Sequence, residues 1–189
     1  MSKLENPLPS QSSTDINTYS PQETISDISE IEINKKLISS IANTLSLVLE
    51  ATKKLHDYKK IVKQQSKMNF SSSSEPSISL YDYLIRIQTY GEVSDSTLIL
   101  GLIYIDRVCD MSQICLTKYN IHRLLFSAIL VAIKYNEDKF YENEYYAQIA
   151  GIKNKELKII EYDFLNLINF ELFVKDSVYS KYEKYLNGN

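Results

Sequence analysis

Residues 121–135 (IHRLLFSAILVAIKY) are apolar on nearly every side of a helical wheel. A helix of that kind belongs in the middle of a domain, wrapped by others. Its polar positions, Arg123, Ser127 and Lys134, are spaced by four and seven residues. They predict one narrow stripe facing something other than the chain's own core. Shorter segments with helical periodicity flank this run, at about 79–90, 95–110, 143–150 and 155–169. Ser94 or Asp95, Asn120 and Asn154 stand where N-caps belong. The pattern predicts an all-α fold: five helices, four of them packed around the third. Helix totalling about 100 residues can bury a sufficient core without metal or disulfide.

Outside residues 78–174 the pattern changes. Residues 1–29 are rich in Ser, Thr, Asn and acid and poor in large apolar side chains, which predicts a disordered tail. Ser20-Pro21 within it is a proline-directed phosphorylation dipeptide of low specificity. Residues 30–65 carry Ile33, Leu37, Ile41, Leu45, Val48 and Leu49, then a weaker stripe through Leu55, Tyr58, Ile61 and Val62. They predict one long amphipathic helix or two, with a basic end that reads as a solvated face. Residues 66–77 form a serine-rich loop, and 175–189 a C-terminal segment with one short helix.

Composition narrows the function classes. The net charge of −3 lacks the basic footprint of a nucleic-acid binder. Four glycines and four prolines are too few for a turn-rich all-β domain. Cys109 and Cys115 make neither a CxxC pair nor a disulfide framework, and the expected location is intracellular, in the nucleus or cytoplasm. No uncharged apolar run reaches the roughly 18 residues of a membrane span, and the N-terminus lacks a signal-peptide core. Gly-rich phosphate loops, HExxH and GxSxG are absent. His56 and His122 lie in helical runs without a paired ligand. The expectation is a protein with no cofactor, no metal, no small-molecule substrate and no catalytic group of its own.

Two charges fit a simple core poorly. Lys134 lies between Ile133 and Tyr135. Glu161 interrupts the face formed by Leu157 and Leu165. An unpaired buried charge costs several kcal/mol, roughly, so each needs a partner. One reading is a purely structural pair. The other is a pair at the floor of a docking surface, reaching the main chain of another protein.

The stretch SAILVAIKYNEDKFYENEYYAQIAGIKNKELKIIEYDFLNLINFEL resembles the cyclin box, and within it the P-type group related to the yeast phosphate-pathway cyclin. An apolar helix ends in A-x-K-aromatic. Then follow D-x-F-Y-x-N, a short Y-A-x-I-x-G-I helix, L-x-x-I-E, and a terminal N-F-x-L. Upstream, ISLYDYLIRIQTY and LILGLIYIDRV resemble the first two helices of the box. The resemblance covers about 78–174 as a single cyclin box, with 37–62 as extra N-terminal helices.

It implies a regulatory subunit that forms a heterodimer with a cyclin-dependent protein kinase and activates it, in cell-cycle or nutrient and stress signalling. Lys134 and Glu161 would hold the segment leading into the kinase C-helix. Val131, Tyr135, Tyr162, Leu165 and Leu172 would line the apolar pocket beside them, and Arg123 would also face the kinase. Asp106, in the Tyr104-Ile105-Asp106-Arg107 run, matches a position that is structural in the family. Pro76 and Ser77 replace the Met-Arg that opens the family's substrate-capturing motif, so that docking mode is not implied. The competing readings are a helical adaptor without kinase activation and a cyclin-fold transcription partner. The second uses tandem repeats and a basic face, which this sequence does not offer.

Overall fold

A computed structural model describes residues 33–188 together with the two-residue strand β1 (Thr18–Tyr19). The expected tail over 1–29, with Ser20-Pro21, otherwise lies outside the described residues. The described chain is all-α: helices α1 (Lys35–Lys53), α2 (Tyr58–Gln65), α3 (Leu80–Gly91), α4 (Asp95–Ser112), α5 (Ile121–Asn136), α6 (Asn143–Ala150), α7 (Asn154–Leu167) and α8 (Asp176–Asn187). Its one sheet is a minimal parallel pair, β1 against β2 (Phe140–Tyr141).

Helix α5 is the central element. Every residue from Leu124 to Ile133 is buried, and α4, α7, α3 and α6 pack around it. Its closest neighbour is α4, and Gly101 explains the approach. A Cβ at Gly101 would stand 2.8 Å from Cγ1 of Ile129 on α5, closer than packed carbons tolerate. Glycine here costs helix propensity, roughly 1 kcal/mol, and permits the helix contact in exchange.

The N-terminus of α4 meets the C-terminus of α5. Ser94 caps α4 by accepting from the Thr97 amide. One Glu137 oxygen, just past α5, accepts from the Ser94 amide (3.0 Å) and from the Ser94 and Thr97 hydroxyls (2.7 and 2.6 Å). This joins two helix ends that would otherwise leave polar groups unmet.

Two expected caps behave differently. Asn120 precedes α5 but makes no cap bond. Its Oδ1 accepts from the Thr117 amide (2.8 Å) and its Nδ2 donates to the Cys115 carbonyl (3.0 Å), bracing the preceding turn. Asn154 is the first residue of α7, with Lys153 as the flanking residue and no side-chain cap. His56 falls in the break between α1 and α2, not in a helix.

The flanking segments are docked onto the box. Phe70, inside the serine-rich stretch, is buried and meets Phe164 edge-on at 6.5 Å. Ser72 binds the Tyr119 carbonyl through its amide at 2.8 Å. The C-terminal helix α8 buries Leu186, whose carbonyl accepts from Ser40 of α1 at 2.7 Å. Tyr182 of α8 donates to the Asp106 carboxylate on α4. Asp106 thus spends its charge on holding α8.

Candidate functional site

The polar stripe expected along α5 does not form a continuous surface. Ser127, in its middle, is fully buried, and its hydroxyl donates to the Arg123 carbonyl of its own helix at 2.9 Å. What remains is two charged ends. Arg123 and Lys134 are eleven positions apart, about 16 Å along the helix axis at the usual rise.

At the C-terminal end, the Lys134 ammonium lies 2.5 Å from Oε1 of Glu161 on α7. Nδ2 of Asn143, at the start of α6, donates to the other carboxylate oxygen at 2.8 Å. Three elements therefore converge on one carboxylate, and Glu161 is held in a fixed pose. The side chains are 28 % and 14 % exposed, so the pair is open on one side instead of sealed in hydrocarbon. Beside it lies a depression of about 300 Å³ whose walls include Lys134, Tyr141, Asn143, Asn154 and Lys158. An ion pair with one face open keeps donor capacity on the ammonium, which has three N–H bonds to give.

The depression beside the pair is lined by Phe140 and Tyr141 together with the charged Glu142, Glu144 and Lys158; the apolar candidates lie elsewhere on α5, α7 and the segment that follows. Tyr135 follows Lys134 and is half exposed, while Tyr162 follows Glu161 and is 63 % exposed. Leu165 and Leu172 are half-buried at the edge of the core. Val131, one turn before Tyr135, is only 3 % exposed and is a core residue, so at most its edge can floor a pocket.

The segment after α7 completes this surface. Asn169 and Phe170 both take left-handed backbone angles (φ 49° and 56°), which turn the chain back after the helix. The Tyr104 hydroxyl on α4 donates to the Leu172 carbonyl at 2.8 Å. Arg107, one turn on, donates to the carbonyls of Glu171 and Phe173. Burial raises the Tyr104 phenol to about 12, with the neighbouring Tyr135 adding to the effect, so it stays a hydrogen-bond donor at any physiological pH.

Held in this way, Phe170 and Phe173 are exposed, Phe173 by 70 %. Phe170 is the aromatic of the N-F-x-L motif, and Phe173 lies just beyond it with no expectation attached. Their signal was two aromatics flanking Leu172 in a stretch that is no longer helical.

Arg123 is not brought together with the other seven candidate residues. Its guanidinium lies 2.5 Å from Glu156, near the start of α7, and donates to the Asn69 carbonyl at 2.9 Å. It lines a different depression, with Lys67, Lys153 and Lys155.

No cluster of three or more metal-ligating side chains occurs among the described residues. No helix among them is long and apolar enough to cross a membrane. Burial pushes the Cys109 thiol up to about 12, which leaves it protonated and unreactive.

Comparison with known proteins assigns the family. The chain matches the cyclin family over residues 13–172. It is 34 % identical to Cyclin-U4-1 of Arabidopsis thaliana over 84 % of this chain and 80 % of that protein. Against Cyclin-U4-3 of the same plant it is 34 % identical over 78 % of this chain and 67 % of the relative. Against Cyclin-P3-1 of Oryza sativa subsp. japonica it is 31 % identical over 78 % and 61 %. With the match spanning α1 to α7 and the helices arranged around a buried α5, this chain belongs to the cyclin family, as a regulatory protein related to its U-type and P-type members.

Proposed function

We propose that this cyclin is the regulatory subunit of a cyclin-dependent protein kinase and binds it through the Lys134 end of α5. The observation that carries the reading is the half-open Lys134–Glu161 pair, fixed by Asn143, with the exposed Tyr135 and Tyr162 each next in sequence to a member of the pair. A charge-assisted anchor together with exposed aromatic side chains is the composition of an interface hot spot.

Lys134 would donate its remaining N–H bonds to main-chain carbonyls of the segment leading into the kinase C-helix. Tyr135, Tyr162, Leu165 and Leu172, over the edge of Val131, would receive an apolar side chain from that helix. Kinase chemistry needs a lysine on its third strand paired with a glutamate on the C-helix. A partner that binds only the inward position of that helix shifts the equilibrium toward the active state. Moving it from 1:99 to 99:1 takes about 5.5 kcal/mol of differential binding. The cyclin contributes no catalytic group to the transfer. An intracellular setting follows from the partner.

The test is affinity capture of the tagged chain from its native cell, followed by a kinase assay on the captured material. The expected result is an active protein kinase with the natural chain and none with Lys134→Glu, whose circular dichroism stays helical. Capture of a kinase without activity would make the chain an adaptor. Equal capture by the folded variant would remove the anchor.

A further inference from the structure

The single sheet of the described chain ties its N-terminal stretch to the Lys134 end of α5. Thr18 and Tyr19 of β1 pair in parallel register with Phe140 and Tyr141 of β2. Side-chain bonds fix β2 in place. The Tyr141 amide donates to the Tyr146 hydroxyl of α6 at 3.3 Å, and the Tyr141 hydroxyl donates to Glu92, just past α3, at 2.7 Å. The Tyr141 ring also lies 4.5 Å from the ring of Tyr145.

β2 is at the same time a wall of the depression beside Lys134, since Phe140 and Tyr141 both line it. Two residues on, Asn143 donates to the Glu161 carboxylate at 2.8 Å. A strand laid along β2 therefore lies close to the groups that would meet a partner. It widens the backbone layer there by about 4.8 Å, the spacing of paired strands. The depression holds only about 300 Å³, so added width at its wall obstructs the approach.

The pairing is also short. Thr18 and Tyr19 against Phe140 and Tyr141 make up the whole ladder. Each hydrogen bond contributes little net free energy, and fixing the backbone of each residue costs a comparable amount. Residues 20–32 connect β1 to the residues before α1, so closure is intramolecular and the strand keeps a high effective concentration near its edge. A short ladder on such a tether sits close to the balance between paired and released.

We propose that β1 is an autoinhibitory strand, which occupies the β2 edge in the free chain and leaves when a kinase takes the Lys134 surface. The inference rests on the kinase reading of that surface. Recognition runs through main-chain groups, the mode of strand addition. Paired for roughly two-thirds to nine-tenths of the time, β1 lowers the apparent kinase affinity about three- to tenfold.

The experiment compares the full chain with its double variant Thr18→Pro, Tyr19→Pro. Proline lacks the amide donor and breaks a ladder. Neither residue lies in a helix, so the melting temperature should not change. The first readout is hydrogen exchange over residues 138–142, expected to quicken a few-fold in the variant. The second is affinity for the kinase captured by the natural chain, expected to rise about three- to tenfold. Unchanged exchange overturns the docked strand, and unchanged affinity overturns the competition. Lower affinity in the variant would make β1 part of the kinase interface, which overturns autoinhibition. Protection in the natural chain that vanishes on dilution would assign the strand to a second copy and overturn the intramolecular contact. Quickened exchange with no kinase captured by either chain would place the failure in the kinase reading, and autoinhibition falls with it.

Discussion

The two ends of α5 carry the same device in different surroundings. At each end a cation from α5 lies 2.5 Å from a glutamate of α7: Arg123 with Glu156, and Lys134 with Glu161. Tyr135 and Tyr162, next in sequence to Lys134 and Glu161, are exposed aromatics. The depression beside Lys134 carries charges of both signs, Glu142, Glu144 and Lys158, whereas in the one beside Arg123 the charges other than the pair are all lysines, Lys67, Lys153 and Lys155. A partly exposed ion pair gains little net stability by itself, so neither pair identifies a partner alone. Their surroundings differ in kind: apolar side chains that exclude water make a central charge selective, whereas exposed like charges act at a distance and yield to salt.

The sharpest way to break this contrast is charge reversal at one end. Lys134→Glu places two carboxylates together and should cost kinase capture about 2–5 kcal/mol, the range for truncating a buried interfacial charge pair. Arg123→Glu should leave kinase capture within about twofold. Co-purification followed by quantitative blotting reads both. Equal losses would merge the two surfaces into one.

Leu165→Asp tests the apolar candidates. Leu165 is half-buried, so the variant should stay helical and lose capture nearly as fully as Lys134→Glu. Thermal melting shows whether it folds; an unfolded variant would assign Leu165 to the core.

Next in size is Gly101→Ala, which forces a methyl group against Ile129 between α4 and α5. It should cost about 1–3 kcal/mol of stability by urea denaturation, as overpacking does. It acts equally on both ends, and so measures how far either surface depends on the shared core.

The smallest effect concerns acid. Burial lowers the pKa of His122 below its usual value near 6.5, partly offset by the Ile78 carbonyl at 3.0 Å from Nε2. The unfolded chain then binds the proton more readily than the folded one. Stability from this group is present above the usual value and is lost as pH falls below it. Melting temperature should therefore drop on acidification through that window, and His122→Gln should flatten the drop.

Much of this architecture could be read from the residues, and the failures have physical causes. The central position of α5 followed from its uniform apolarity. The Ser94 cap followed from hydroxyl chemistry beside an apolar run. The role of Ser127 was misread because a serine on a buried helix can satisfy itself on its own backbone, leaving no surface stripe. Arg123 was grouped with Lys134 because sequence spacing reports angle around a helix and says nothing of which neighbours meet each end. Phe70 was hidden as one aromatic inside a polar loop. The exposure of Phe170 and Phe173 was hidden, although Phe170 stands in the N-F-x-L motif, because two non-glycine residues in left-handed conformation make the turn that exposes them, and only Asn169 hints at it. Lys134 and Glu161 were visible because a charge inside an apolar period is itself the anomaly.

The grip of Tyr104 and Arg107 on the stretch after α7 reaches only carbonyl oxygens, at Leu172, Glu171 and Phe173. Backbone atoms are common to all amino acids, so the scaffold is indifferent to what is mounted there. Phe173 is thus an exchangeable fitting on a permanent bracket: its replacement changes what the surface greets without loosening a single helix.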